Sequence, residues 1–249
     1  MSELTGLYAV WYRELKVFFR ERSRIVGSII QPLLWITLFG SGLGASVSIE
    51  GVNYQAFIFP GILAMSAIFS SIFFGTYIVW DRKIDFLKEV LVAPVSRTTI
   101  FFGKVLGGCT DTLLQLTVLL LLGFLLSIPL TLVSIPISIF ILFLMAIGLV
   151  SIGLIIGSFM ESFEGFNIIT TFLIFPMFFL SGGLFPIDNL PTWLHIFTRI
   201  NPMTYGVDAL RGVILGISQF PLLLNLIVLI TFDVLFIIFG TIAFKRMKL

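Results

Sequence analysis

Residues 112–160 read TLLQLTVLLLLGFLLSIPLTLVSIPISIFILFLMAIGLVSIGLIIGSFM, forty-nine positions without one Asp, Glu, Lys or Arg. About 20 apolar residues cross a bilayer core as a helix. This run is too long for one crossing and long enough for two. Pro129, Thr131, Ser134 and Pro136 lie inside it and place a tight turn between two helices. Working outward, 25–49, 51–80 and 165–187 are also uncharged, and 222–244 is interrupted only by Asp233. The predicted spans are 25–44, 56–80, 104–127, 135–159, 166–183 and 222–244. The expected fold is therefore an all-α integral membrane protein with six transmembrane helices in a single domain, 1–249. Composition agrees: the chain is 58% hydrophobic and 11% charged, where soluble domains run near 45–50% and about 25%. Mean hydropathy is +1.13.

The same composition excludes other classes. A net charge of +2 gives no reason to expect nucleic acid as a partner. Cys109 is the only cysteine, so no internal disulfide can form. His195 is the only histidine, and no carboxylate cluster accompanies it that would suit zinc. It reads as an interfacial polar residue rather than a ligand. Charges from Glu3 to Arg24 interrupt the region where the apolar core of a cleavable signal would sit, so the first span is expected to act as the insertion signal.

Charge distribution sets the expected topology. Of the 15 Lys and Arg residues, 13 fall in 1–24, 81–104 or the C-terminal tail, leaving Arg199 and Arg211 on the other side. The positive-inside rule then puts both termini in the cytoplasm and the chain in the cell (plasma or inner) membrane as a multi-pass protein. Within 1–24, Leu4, Leu7, Tyr8, Trp11, Leu15, Phe18 and Phe19 recur at helical spacing with charges between them. That pattern predicts an amphipathic helix lying in the headgroup layer, in preference to a plain soluble helix.

The loop 81–97, DRKIDFLKEVLVAPVSR, predicts a short cytoplasmic helix with Ile84, Leu87 and Leu91 on one face. Pro94 should stop it at Ala93, and Ser96 or Thr98 should cap the next helix. Such a helix suits a groove on a soluble partner, or it is an ordinary solvated loop. The turn 160–165, with Glu161 and Glu164, is a second cytoplasmic connection. On the outer side, 184–221 carries Pro186, Pro191, Pro202 and Pro221. Leu190, Trp193, Leu194, Phe197 and Ile200 make one apolar face, with Asp188 or Asn189 near its cap. A second short helix follows over 203–215. Both are too short to cross, so the segment is expected to dip back into the outer leaflet as a re-entrant cap.

Asp233 lies near mid-membrane, where an acid is costly without a partner. It is read either as a structural acid bonded to a neighbouring Ser, Thr or Asn, or as a substrate or proton contact. Asp111 and Gln115 lie nearer the cytoplasmic end. The pairs Gly40/Gly44, Gly103/Gly107, Gly153/Gly157 and Gly212/Gly216 allow close helix approach. No phosphate-binding loop is present: Gly103-Lys104 lacks the upstream glycine such a loop needs. No catalytic constellation appears, so the chain is not expected to be an enzyme, and any energy from ATP would have to come from another polypeptide.

Three segments together carry a resemblance: FLSGGLFPIDNLPTWL at 179–194, NPMTYGVDALRG at 201–212 and FLKEVLVAPVSR at 86–97. The chain resembles the ABC-2-type permeases, the membrane subunits of ATP-binding-cassette exporters, particularly the drug-resistance and nodulation-type branch. The resemblance covers nearly the whole length. It implies two membrane halves, as a homodimer or with a paralogue, and two copies of a separate ABC ATPase that bind ATP and Mg; the chain itself would hold no cofactor. It implies that the 81–97 helix couples to that ATPase, through Arg82, Lys83, Asp85, Leu87, Lys88, Glu89, Pro94 and Arg97. It implies an external cap built on Gly182, Gly183, Pro186, Pro191, Trp193, Asn201, Pro202, Tyr205, Asp208 and Arg211. Spans one, two and five would line a pathway with Gln31, Thr37, Ser66, Ser70, Thr170, Thr171, Phe175 and Ser181, and with Phe172 and Phe178. Asp233 departs from the family pattern. The function expected is export of an amphipathic drug, lipid or glycan, with a proton-coupled secondary transporter using Asp233 as the alternative.

Overall fold

The computed structural model describes residues 2–44, 48–49, 51–187 and 190–247, and these are almost wholly helical. Helix α1 (Glu3–Arg20) begins at Ser2, whose hydroxyl accepts from the Thr5 amide at 3.2 Å. It gives way at Glu21 to α2 (Arg22–Gly44). A two-residue hairpin, β1 (Ser48–Ile49) with β2 (Val52–Asn53), leads into α3 (Tyr54–Phe73), capped by the Asn53 side chain. Three short steps follow: α4 (Thr76–Lys83), α5 (Phe86–Val92) and the Ser96-capped start of α6 (Arg97–Leu122). The remaining helices are α7 (Ser134–Phe159), α8 (Phe163–Phe179), α9 (Thr192–Ile200), α10 (Pro202–Leu215) and α11 (Leu222–Arg246).

The long uncharged run divides where its punctuation predicts. A 3-10 turn at Gly123–Leu126 ends α6, and Ser127 adopts a left-handed conformation. Thr131 and Ser134 then cap each other, the Thr131 amide donating to the Ser134 hydroxyl at 2.8 Å and the Ser134 amide to the Thr131 hydroxyl at 3.0 Å. Five helical segments among the described residues are long and apolar enough to cross a membrane. The fifth predicted span, 166–183, is not among these five: α8, at 17 residues, starts three positions earlier than predicted and ends at Phe179. At 1.5 Å per residue it reaches about 25 Å, less than a typical 30 Å hydrocarbon core. Pro176 lies within its last turn, and Gly182, at φ +71°, turns the chain away.

Helices α3 and α7 form the centre, with α6, α8, α10 and α11 packed around them, α2 flanking α3, and α1 lying along α6. The second span is a continuous run in sequence but breaks at Phe74–Gly75. There α3 and α7 meet backbone to backbone. A Cβ at Gly75 would lie 1.9 Å from the Gly153 carbonyl oxygen, and one at Gly157 2.4 Å from the Gly75 oxygen. A Cβ on Gly103 would be 2.8 Å from Val10 Cβ, and one on Gly107 2.6 Å from Glu14 Cβ. These small-residue pairs thus seat helices of the same chain against each other.

A helix forms over the stretch where the sequence carries an amphipathic pattern. Leu4, Tyr8 and Phe19 point outward, while Gly6, Glu14 and Phe18 are buried. The face carrying Glu14 is the one that packs on α6. In α11 a similar inversion holds: Asn225, Leu229 and Asp233, four residues apart, face inward, and Leu223, Ile227, Ile230 and Val234 face out.

Candidate functional site

Charged side chains gather at one end of the bundle. Lys104, 1% exposed on α6, reaches Glu14 of α1 at 2.9 Å and Asp81 of α4 at 2.7 Å. Arg13 spans the same two carboxylates at 2.7 and 2.6 Å and stacks over the Phe86 ring. Burial opposes the charge on Arg13, but the flanking Glu14 and Asp81 carboxylates outweigh it and hold its pKa above the ordinary value. Four elements, α1, α4, α5 and α6, are therefore tied at one point. Glu3 accepts from the Ser96 amide and hydroxyl and from the Thr99 hydroxyl at the start of α6. Those bonds, Thr99 first, hold its carboxyl below the ordinary range.

The loop 81–97 is built on this anchor, with its helix shorter than the sequence suggests. Asp81, Arg82 and Lys83 finish α4, and Asp85, at φ 59°, makes the corner before α5. Arg82 donates to the Ser158 carbonyl at 2.8 Å and also to that of Met160, clamping the end of α7. Leu87 is buried beside Phe101 and Ile100, so Ile84, Leu87 and Leu91 do not form a common outer face. Instead Ile84, Asp85, Lys88, Glu89 and Val92 are exposed, with Pro94 exposed beyond them. Arg97 donates to the Lys245 and Met247 carbonyls at 3.0 and 2.5 Å, capping α11. Residues 2–20, 81–97, 158–160 and the end of α11 thus share one end of the molecule.

The described residues of 184–221 lie at the other end, near the start of α3. Arg211, buried in α10, donates to the Gly182 carbonyl at 2.8 Å and lies 4.1 Å from the Phe57 ring centre. Gly183 meets Gly61 so closely that a Cβ on Gly61 would fall 2.2 Å from the Gly183 oxygen. Pro186 is half-buried. Pro191 itself precedes α9, while Asp188 and Asn189, the expected caps, lie outside the described residues. The apolar face of α9 is exposed, Trp193 by 63%. Asn201 joins α9 to α10: its Oδ1 accepts from the Met203 amide, and its Nδ2 donates to the Met177 carbonyl at 2.7 Å. Pro202 opens α10, and the Tyr205 hydroxyl donates to the Arg199 carbonyl at 2.9 Å. Asp208 accepts from the Gln219 and Phe220 amides and from Asn225 Nδ2, at 2.7, 3.1 and 2.9 Å.

Between the two ends, α2, α3 and α6 enclose a cleft of about 400 Å³. Its polar lining is Arg24, Ser28, Gln31, Ser66, Ser70 and Gln115; Pro32, Met65, Phe69 and Phe73 supply the apolar wall.

The sequence family decides what this architecture belongs to. The ABC-2 type transporter family matches residues 5–215, most of the chain. The chain belongs to the ABC-2 type transporter family. It is similar to the inner membrane transport permease YadH of Escherichia coli K12, with 30% identity over 93% of this chain and 91% of that one. The putative transport permease ycf38 of Cyanophora paradoxa is 30% identical, over 85% of this chain and 73% of that protein. Nodulation protein J of Rhizobium meliloti is 28% identical, over 84% and 80% respectively. The protein is a multi-pass membrane transport permease of ABC-2 type.

Of the pathway residues predicted for this permease, Gln31, Ser66 and Ser70 converge on the cleft. Phe175 borders it, its ring edge-on to Phe69 at 5.9 Å. The others lie elsewhere. Thr37 is exposed further along α2 and bonds back to Leu33. Thr170 and Ser181 are buried with hydroxyls folded onto their own backbone. Thr171 and Phe172 point outward, and Phe178 is core. Asp233 is buried on α11 against Gly148 of α7, away from the cleft lining. Its Oδ1 has no hydrogen-bond partner among the described residues.

Sequence reasoning missed the Glu14–Lys104–Asp81 cluster and the roles of Arg24 and Gln115. A signal for the first was present. Lys104 stands alone in a helix otherwise uncharged from Ile100 to Thr110, so it needed a buried counter-charge.

Proposed function

We propose that this permease is the membrane subunit of an ATP-driven exporter that moves an amphipathic molecule out of the cytoplasm. Two permease copies work with two copies of a separate ABC ATPase, which holds ATP and Mg. The α4–α5 corner is the coupling element, facing the cytoplasm with both termini, and residues 184–221 close the outer end. One observation carries the reading. Segment α5 presents Lys88, Glu89 and Val92 outward while Lys104 and Arg82 fasten its root to α1, α6 and α7. A push on α5 therefore reaches α6 and α7 through ion pairs and backbone contacts rather than through a floppy loop.

The test is co-reconstitution with an ABC ATPase in proteoliposomes. Glu89→Lys and Val92→Asp should uncouple ATP hydrolysis from transport while leaving insertion and folding intact. Leu87 is a poor probe, since an acid there would disrupt the core. Normal coupled transport by both variants refutes the docking role. A cysteine at position 85, in a Cys109→Ala background, should react with an impermeant maleimide only from the cytoplasmic side. Transport that collapses with an uncoupler yet survives loss of the ATPase would favour the proton-driven alternative, for which buried Asp233 is the available acid.

A further inference from the structure

The two faces of α1 differ in charge. The inner face packs on α6, and every acid of the segment is engaged within the molecule. Glu3 accepts from the Ser96 and Thr99 hydroxyls, Glu14 is held by Lys104 and Arg13, and Glu21, at the end of the helix, accepts from the Tyr77 hydroxyl. The outer face keeps its cations. Lys16 and Arg20 are exposed one helical turn apart, and neither has an ion pair among the described residues. Lys16 Nζ lies 4.5 Å from the centre of the Tyr12 ring, which stacks on Tyr8 at 5.6 Å. These side chains, with Thr5 and Ala9, border an open groove of about 480 Å³ along the helix. Leu4, Tyr8 and Phe19 are exposed on the adjoining strip.

Depth narrows what covers this face. Trp11 donates to the Thr110 hydroxyl of α6 at 3.0 Å, and Arg24, just past α1, lies 4.0 Å from Asp111. The stretch holding Lys16 and Arg20 is thus tethered at both ends to the point where α6 passes from its last charge, Asp111, into the uncharged run 112–160. In a bilayer that boundary falls in the head-group layer, where tyrosine rings and basic side chains are at home. Charge then selects the head group. A phosphate diester between Lys16 and Arg20 meets two unpaired cations. A choline or ethanolamine group on the same lipid would bring a further cation to a face whose acids are engaged elsewhere, whereas an uncharged alcohol group brings none. Leu4 and Phe19 give the acyl chains an apolar edge.

We infer that the outer face of α1 binds an anionic phospholipid, its phosphate held by Lys16 and Arg20 and its head group lying against Tyr8 and Tyr12. The site needs neither ATP nor a partner ATPase, so it is tested apart from the exporter reading. The full chain in a neutral detergent is titrated with phosphatidylglycerol or with phosphatidylcholine of the same acyl chains, and bound lipid is counted by native mass spectrometry. Phosphatidylglycerol should bind about ten-fold or more tightly than phosphatidylcholine. Lys16→Gln and Arg20→Gln should each weaken phosphatidylglycerol binding about five-fold, the contribution of one basic residue at a membrane surface. Lys16→Arg should retain it, and so should Arg199→Gln, which removes an exposed cation from α9 at the other end of the molecule. Inorganic phosphate at the same concentration should not compete. Size-exclusion profiles identical to the parent confirm that the variants fold; should Arg20→Gln fail to fold, Lys16→Gln and Lys16→Arg carry the test. Unchanged binding in both glutamine variants overturns the site, as does an equal loss in Arg199→Gln. Equal binding of the two lipids overturns the head-group class, and competition by inorganic phosphate overturns the lipid as its source.

Discussion

Replacing Lys104 with methionine removes a cation from between two carboxylates whose side chains are only 1% and 3% exposed. Deleting one partner of a buried ion pair costs about 3–5 kcal/mol. Arg13 stays within 2.7 Å of both acids, at 32% exposure, and continues to satisfy one bond on each. The lower end therefore applies, about 3 kcal/mol, or about two decades in the folding equilibrium. For a chain of this length each kcal/mol moves the midpoint about 2–4 °C, giving a fall of about 6–12 °C. The protein carries its own reporter. Cys109 is the single cysteine and is buried five residues from Lys104, so its alkylation by a fluorogenic maleimide on heating follows unfolding. Adding Glu14→Gln to Lys104→Met removes one stranded charge and should recover part of the loss. A Lys104→Met midpoint within about 2 °C of the parent, or no recovery in the double variant, would refute the claim that this cluster fastens α1 and α4 to α6.

The remaining expectations use related readouts. Gly75→Ala places a methyl against the Gly153 carbonyl and should cost about 1–3 kcal/mol or more. Gly42→Ala meets nothing within 4 Å and should leave the midpoint unchanged or raise it. Asp208→Leu strands the Phe220 amide and the Asn225 side chain and should lower stability by about 2–4 kcal/mol, read from the same Cys109 alkylation. Because Glu3 has a lowered pKa when folded, its bond to the start of α6 is fully present above the ordinary value of 4.5 and is lost as pH falls through the lower folded value. Amide exchange in the first turn of α1, corrected for its intrinsic rate, should therefore accelerate only below that range. In Glu3→Gln the acceleration should vanish; its persistence would exclude Glu3 as the source.

Most of the span architecture was legible because charge exclusion and helix length act locally. The division of 112–160 followed from Pro129, Thr131 and Ser134, and Ser96 capped α6 as its side chain suggests. The breaks were less visible. Residues 51–80 show no charge or turn signal at Phe74–Gly75, since the kink there is imposed by Gly153 and Gly157 approaching from another helix. The end of α8 was overestimated because Ser181 and Gly182 are small and uncharged, yet they turn the chain through hydrogen bonds and a left-handed backbone. Within 81–97 helical periodicity put Ile84 and Leu87 on one face, and the left-handed corner at Asp85 separated them. Gln31, Ser66 and Ser70, which the family resemblance puts on a pathway, interrupt apolar helices and lie together on the cleft. Arg24 escaped notice because, at the edge of a basic segment, it read as one more topological charge. Gln115 was noted for its depth, but its partner Ser70 lies on another helix.

The meeting of Gly75 with Gly153 and Gly157 limits how this molecule can move. A contact made of side chains can absorb axial displacement by changing rotamers. A contact made of carbonyls and α-carbons has no such freedom. Sliding α7 one residue along α3 would present Ile152 or Ile156 to the place a glycine fills. An axial shift of α7 past the end of α3 is therefore opposed at this point, whereas rotation about it moves no side chain into the gap.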